Sequence, residues 1–189
     1  MPLVIFSYKP GLITLSEAGV GASSGTAFRM YVESAGSIQS GVAIANNTSK
    51  AAAVTLELTN LDGSNTGLPG PATLNLPAYG HVSQFLAQLF PGLSASFKGI
   101  VRVSTESAGI SVVGLRSRYN ERGDFLITTT PPSVETAPVT SANLVMPHLP
   151  DGGGYTTEFV LFSGSSGQAS TGSLVLIQQS GQPFALPLR

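Results

Sequence analysis

The stretch VTLELT at residues 54–59 decides the fold class of this 189-residue chain. Its apolar side chains Val54, Leu56 and Leu58 alternate with polar ones, and a period of two places the apolar set on one face of a β-strand. Asp62-Gly63 follows as a turn signal. The stretch therefore predicts a half-buried strand that ends at a turn.

Short β-type runs recur along the rest of the chain at intervals of about 8–12 residues, with turn residues between them. The chain also contains 22 glycines and 13 prolines, which are typical turn residues. Together these features predict an all-β, antiparallel β-sandwich, immunoglobulin-like or related. Residues 82–90 are an exception, because their apolar side chains are spaced as in a helix and Pro91-Gly92 follows them. We therefore expect one short helix near 82–90.

A proline-rich segment divides the chain into a larger and a smaller part. Residues 131–138 contain three prolines and no periodic pattern, which is typical of an extended, semi-rigid linker. We therefore expect a β-sandwich module at residues 26–130, a linker at 131–141 and a smaller unit at 142–189.

The smaller unit resembles part of the larger one. Residues 41–63 and 158–181 share a pattern of strands and turns at an offset of 117–118 residues, so the smaller unit is expected to be a half-repeat. Leu3–Tyr8 and Leu12–Ser16 predict an N-terminal hairpin. We expect residues 1–25 to complete the half-repeat by strand pairing, either within the chain or between chains, because unpaired strand edges promote aggregation.

Charge and cysteine content exclude several classes of function. Lys and Arg total 9, Asp and Glu total 10, and charged residues make up only 10% of the chain, against about 25% in ordinary globular proteins. Such a chain lacks the basic surface that binding to nucleic acid or anionic lipid requires. The absence of cysteine excludes disulfides, thiolate metal sites and cysteine nucleophiles.

Membrane insertion is also not expected, because no apolar run reaches the roughly 18 residues that span a bilayer. The first residues, MPLVIFSYKPG, have no basic segment before the apolar stretch. We therefore expect no signal peptide in this chain.

Two patterns formally suggest a hydrolase. GASSG at residues 21–25 matches G-x-S-x-G, but a nucleophile elbow needs a strand before it and a helix after it, whereas a strand is predicted to follow here. His81 and His148 are the only histidines, and neither has a metal-ligating or catalytic partner at a diagnostic spacing. We expect a non-enzyme without catalytic residues or a cofactor, and a hydrolase is the remote alternative.

A third pattern, DGSNTG at residues 62–67, resembles the first half of a calcium-binding loop. An EF-hand loop would place glutamate where Thr73 stands, and no helices are predicted beside it. We expect a polar β-turn and no metal site, with a weak calcium site as the alternative.

The densest charge lies at residues 116–124, RSRYNERGD. One interpretation is a hairpin end whose arginines and acids pair with each other, each exposed pair contributing under about 1 kcal/mol. The other is an interaction tip, because arginine and tyrosine are common anchors of interfaces. The residues of that tip would be Arg116, Arg118, Tyr119, Arg122 and Asp124. RGD at 122–124 is also the integrin-recognition tripeptide, which we treat as coincidence.

Four phrases of the chain resemble a known repeated module. They are SEAGV at 16–20, AFRMYVE at 27–33, SGVAIAN at 40–46 and GGGYTT at 152–157. The chain resembles in them a β-rich module found near the C-terminal ends of large secreted or surface proteins of acidobacterial-type soil bacteria. The resemblance implies an extracellular or cell-surface location and a structural or binding role, and it implies no site residues.

These observations lead to one expected function and one alternative. We expect a non-catalytic extracellular module that acts in structural assembly or adhesion. Its partners would be neighbouring modules of the same protein, copies of itself, surface proteins or polysaccharides. The alternative is a carbohydrate- or protein-binding domain, although 7% aromatic residues and no tryptophan argue against a sugar platform.

Overall fold

The computed structural model describes residues 3–21, 23–107, 109–135, 145–146, 148–150, 152–161 and 171–184. Eleven strands and one four-residue helix are assigned in these ranges. In chain order they are β1 (Leu3–Tyr8), β2 (Ser16–Gly21), β3 (Ala27–Ala35), β4 (Ile38–Asn46), β5 (Ala52–Asn60), β6 (Ala72–Leu76), β7 (His81–Phe85), α1 (Leu86–Leu89), β8 (Ser96–Ser104), β9 (Ile110–Tyr119), β10 (Phe125–Thr130) and β11 (Ser133–Val134).

Nine strands form one hydrogen-bonded sheet that folds over on itself at the β3–β4 hairpin. β3 and β4 pair only at Ser34–Gln39 and Ala35–Ile38, and beyond that point each has other partners. β4 lies between β9 and β7, whereas β3 lies between β8 and β11. The result is two layers, β10-β9-β4-β7 and β6-β5-β8-β3-β11, and every pairing is antiparallel. The expected all-β, antiparallel, sandwich-like fold is confirmed.

The core lies between the two layers and contains the alternating residues of β5. Val54 and Leu56 are completely buried and Leu58 nearly so, while Glu57 is exposed. These side chains belong to one apolar cluster that also includes Phe28 of β3 and residues of β4, β8 and β9. The period of two in the sequence thus identifies the inward face of the strand.

The predicted helix at 82–90 is correct only in its second half. His81–Phe85 is strand β7, which pairs residue by residue with Ala45–Gly41 of β4. Backbone pairing with the second edge of β4 outweighs the helical spacing of the apolar side chains, since tertiary contacts override local propensity. The helix then begins at Leu86, where the side chain of Gln88 accepts a hydrogen bond from the Phe85 amide (2.8 Å).

The first residues of the predicted linker belong to the sheet. Ser133 and Val134 pair with β3, and the amide of Glu135 donates to the carbonyl of Ala27 at 3.0 Å. Val134 also packs against the core. The segment is extended, as its prolines predict, but it is attached to the module as far as Glu135; residues 136–144 lie outside the described residues.

Two turns that are 118 residues apart have the same geometry. Thr59 pairs with Asn65 in an isolated antiparallel bridge, and Ile177 pairs with Pro183 in the same way. In both turns a glycine amide donates to the carbonyl three residues earlier at 2.9 Å. The φ angles of these glycines are 83° at Gly63 and 82° at Gly181, a left-handed conformation that favours glycine. The spacing of the two turns equals the offset of the predicted half-repeat, and the half-repeat itself stays a prediction.

The N-terminal hairpin is a separate two-stranded sheet that packs against β10. Its second strand begins at Ser16, four residues later than Leu12, because a loop closed by the Leu15 amide and the Tyr8 carbonyl (3.0 Å) occupies that stretch. The Ser16 hydroxyl bonds both the carbonyl (2.8 Å) and the amide (2.9 Å) of Ile127. Pairing of residues 1–25 with the half-repeat stays a prediction, because much of 142–189 lies outside the described residues.

Candidate functional site

The five residues of the predicted interaction tip lie at the end of β9 and in the turn that follows it. They do not share one environment. Arg118 and Tyr119 are neighbours in β9, so their side chains point to opposite faces of the strand. Arg118 pairs with Glu121 within the turn, whereas Tyr119 packs against Phe125 of β10, with ring centroids 5.3 Å apart. Arg122 is exposed in the turn itself. The internal pairing expected of a hairpin end is thus present for Arg118.

Arg116 is instead part of a charged cluster with β3. Its guanidinium lies 2.7 Å from the carboxylate of Glu33, whose side chain is buried, and Lys98 lies 3.8 Å from the same carboxylate. Burial first, and then the neighbouring carboxylates of Glu33 and Glu158, raise the pKa of Tyr31. Because Arg116 neutralises a buried acid, we assign it to the structure of the module rather than to the tip.

Asn120 organises the turn between β9 and β10. Its side-chain oxygen accepts hydrogen bonds from the amides of Arg122 (3.0 Å) and Asp124 (2.8 Å), and its side-chain nitrogen donates to the Asp124 carboxylate at 2.9 Å. Gly123 has a φ of 80°, which the turn requires. The Asp124 carboxylate is therefore held in place from inside the turn.

We expect Asn120→Ala to lower the free energy of unfolding by about 1–2 kcal/mol, because it removes three hydrogen bonds at a half-buried turn. The measurement is chemical denaturation followed by fluorescence or circular dichroism. Asn65→Ala is the matched control, since Asn65 makes one such bond, to the amide of Gly67, in an exposed loop. Equal stability losses in the two variants would contradict this role of Asn120.

An open groove of about 510 Å³ lies between the N-terminal hairpin and the β9–β10 turn. The hairpin and the layer beneath it both contribute aromatic rings. Tyr8 meets Phe125 edge to face, with centroids 5.7 Å apart, and Phe125 in turn contacts Tyr119. The lining residues are Tyr8, Pro10, Leu15, Phe85, Tyr119, Gly123, Asp124 and Phe125.

Tyr119 and Asp124 are predicted interaction residues from the sequence, whereas the other residues of this groove are not. Three distant strands contribute Tyr8, Phe85 and Phe125. No local sequence pattern distinguishes these aromatic residues from others in strands. The only local signal was the excess of Arg, Tyr and Asp near the turn. We call the surface formed by Tyr8, Phe85, Tyr119, Asp124 and Phe125 the aromatic groove.

The other motifs occupy structural positions. The Ser23 hydroxyl of the GASSG stretch donates to the Val112 carbonyl at 2.5 Å, and β3 follows the stretch. His81 begins β7 and is exposed, as is His148. The Ser23 hydroxyl is therefore held by the backbone of Val112 in β9.

The DGSNTG stretch forms successive side-chain-capped turns. The Asp62 carboxylate accepts from the Ser64 amide at 2.9 Å, and the Asn65 side chain accepts from Gly67 at 2.8 Å. The hydrogen bonds from Ser64 lower the pKa of Asp62. In the part of the chain that the structure describes, no three His, Asp or Glu side chains are grouped so that they could hold a metal ion.

Comparison with protein-family models, with curated proteins and with solved structures finds no match to this chain. Within the described ranges, no helix is long and apolar enough to cross a membrane. The candidate sites are therefore the two surfaces that the geometry itself distinguishes, the aromatic groove and the exposed N-terminal hairpin.

Proposed function

We propose that this chain is a non-catalytic structural module of a secreted or cell-surface bacterial protein, and that copies or neighbouring modules join through the N-terminal hairpin. The observation that carries the proposal is the outer strand of that hairpin. β1 pairs with β2 on one side, and among the described residues no strand pairs with its other side.

The composition of β1 favours strand addition. Its sequence, LVIFSY, contains no charged residue, and Val4 and Ile5 are mostly exposed. Soluble proteins usually protect an exposed edge with charge, proline or a bulge, so an apolar, uncharged edge is a template for another strand. An added strand would satisfy the free amide and carbonyl groups of β1 by β-augmentation.

Side-chain hydrogen bonds also attach the hairpin to β10. Besides the two bonds between Ser16 and Ile127, the Thr129 hydroxyl donates to the Gly19 carbonyl at 2.7 Å. Side-chain bonds thus fix β2 on β10 and leave β1 available. A chain with few charges reduces repulsion between copies, which is consistent with assembly into an extended structure.

The test is light scattering of the full chain over a hundredfold range of concentration. We expect the mean mass of the wild type to rise with concentration and Ile5→Lys to remain monomeric, because a lysine on the apolar edge opposes strand addition. Val4→Lys is the second variant, since Val4 lies on the same strand and is 62% exposed, and it should also remove the increase in mass.

Ile177→Lys is the matched control, because Ile177 is 66% exposed and Ile5 is 65% exposed. Association that persists in Ile177→Lys but not in Ile5→Lys supports the hairpin edge. A wild type that is monomeric at every concentration, or association that Ile5→Lys leaves unchanged, would show that the proposed function is wrong.

A further inference from the structure

We propose that the aromatic groove is a binding site for a neutral saccharide chain. This inference does not require assembly through β1, although Tyr8, the last residue of β1, also lines the groove. The low aromatic content of the whole chain argues against carbohydrate binding, but the aromatic groove is one place where aromatic residues are concentrated. The chain has 14 aromatic residues, 5 Tyr and 9 Phe, and the fold gathers 4 of them in this one groove.

The aromatic side chains provide apolar surface with polar ends. Tyr119 is 55% exposed and Tyr8 is 41% exposed, so both rings remain accessible although each contacts Phe125. The face of an aromatic ring carries partial negative charge and attracts the weakly positive C–H groups on the face of a sugar ring. Tyrosine adds a hydroxyl that can exchange hydrogen bonds with sugar hydroxyls.

Asp124 provides a fixed hydrogen-bond acceptor in the lining of the groove. Its Oδ2 accepts from the Asn120 side chain, while Oδ1 accepts no hydrogen bond from the residues that the structure describes. A carboxylate that is already oriented loses little entropy when it accepts from a ligand hydroxyl, and such charge-assisted bonds are stronger than neutral ones. A sugar hydroxyl is a suitable donor.

The charge of the groove selects against anionic ligands. Asp124 is acidic, and the described lining residues include no lysine, arginine or histidine. A uronic acid, sulfate or phosphate group would therefore meet a carboxylate and no cationic side chain of the lining. The volume of about 510 Å³ lies within the usual range for small-ligand sites. The groove is open to solvent. It therefore suits an internal segment of a polysaccharide, because the polysaccharide continues beyond the site in both directions.

The test is native gel electrophoresis of the full chain through gels that contain an α-glucan, a β-glucan or a galactomannan, with polygalacturonate as the anionic comparison. Ile5→Glu serves as the parent protein, because a charge on the β1 edge opposes self-association and the change of net charge from −1 to −2 lets the protein migrate. Each variant is compared with its own migration in a gel without polysaccharide. We expect retardation in at least one neutral gel. Tyr119→Ala should weaken the association about tenfold, and Asp124→Asn should weaken it severalfold while preserving the bond from Asn120.

Tyr155→Ala is the control, because Tyr155 is an exposed tyrosine outside the groove and should leave the retardation unchanged. Circular dichroism of each variant establishes that it is folded. The inference is overturned if no neutral gel retards the protein, if only polygalacturonate does, or if Tyr119→Ala migrates like its parent. It is also overturned if a proline-rich basic peptide, tested by fluorescence anisotropy, binds the groove and no neutral polysaccharide does.

Discussion

Gly99→Ala is expected to lower the free energy of unfolding by about 3 kcal/mol, the upper end of what overpacking costs in a close-packed interior. Gly99 lies in β8, between β3 and β5, and is buried. A Cβ atom placed there would lie 2.2 Å from the Thr59 carbonyl oxygen and 2.4 Å from the ring of Phe97. The ring can turn, but the carbonyl is part of the paired strand β5, so β5 and β8 would have to separate.

Urea denaturation of the wild type and of the variant measures this loss. Gly172→Ala is the control, because a Cβ at Gly172 meets nothing within 4 Å and Gly172 has no left-handed φ. That variant should be as stable as the wild type or slightly more stable, since alanine restricts the unfolded chain. If Gly99→Ala were equally stable, the close approach of β5 and β8 at this point would be refuted.

Strands of this fold are predictable from the sequence where apolar and polar residues alternate along them. β5 follows the period of two because one of its faces lies against the core and the other does not. The segment that forms β7 favours a helix by its sequence, because Val82, Phe85, Leu86 and Leu89 have helical spacing. It is a strand because it pairs with the side of β4 that β9 does not occupy. The local sequence cannot predict this pairing, because the pairing depends on which distant strand the segment lies beside in the folded chain.

The candidate sites were less predictable than the fold. The excess of Arg, Tyr and Asp at 116–124 led to Tyr119 and Asp124, yet Arg116 on the same strand pairs with a buried acid of β3. The rest of the aromatic groove depends on the position of the hairpin, which Ser16 and Thr129 fix on β10. No spacing in the sequence relates Tyr8 to Phe125, because their contact is purely tertiary.

Glu135→Gln is expected to lower the free energy of unfolding by about 2 kcal/mol at pH 7, because it leaves two arginines without their shared carboxylate. Glu135 lies 2.7 Å from Arg29 and 2.9 Å from Arg102, and its side chain is only 10% exposed. It directly follows β11, whose pairing with β3 extends the second layer. Loss of the carboxylate therefore weakens both a charged cluster and the attachment of the segment after β10.

The effect of this substitution should depend on pH. Burial alone would raise the pKa of Glu135, but the hydrogen bonds and the positive charges of Arg102 and Arg29 together outweigh burial and hold the pKa below its ordinary value of 4.5. A carboxyl group whose pKa is lower in the folded state stabilises the fold fully above its unfolded pKa, and this stabilisation is lost as pH falls through the folded pKa. The wild type should therefore lose more stability than Glu135→Gln as the pH falls below 4.5.

Glu57→Gln separates the buried from the exposed end of the same cluster. Glu57 also bonds Arg102, at 2.8 Å, but its side chain is 47% exposed, so its removal should cost under about 1 kcal/mol. Denaturation of all three proteins at pH 7 and at pH 3 provides the comparison. Two results would contradict the role of the Glu135 carboxylate in attaching β11. One is an equal loss of stability in Glu57→Gln and Glu135→Gln. The other is a difference in stability between Glu135→Gln and the wild type that is the same at both pH values. If the expected pattern is found, the first residues of the proline-rich segment contribute to the stability of the module, and residues 26–130 alone would lack this contribution.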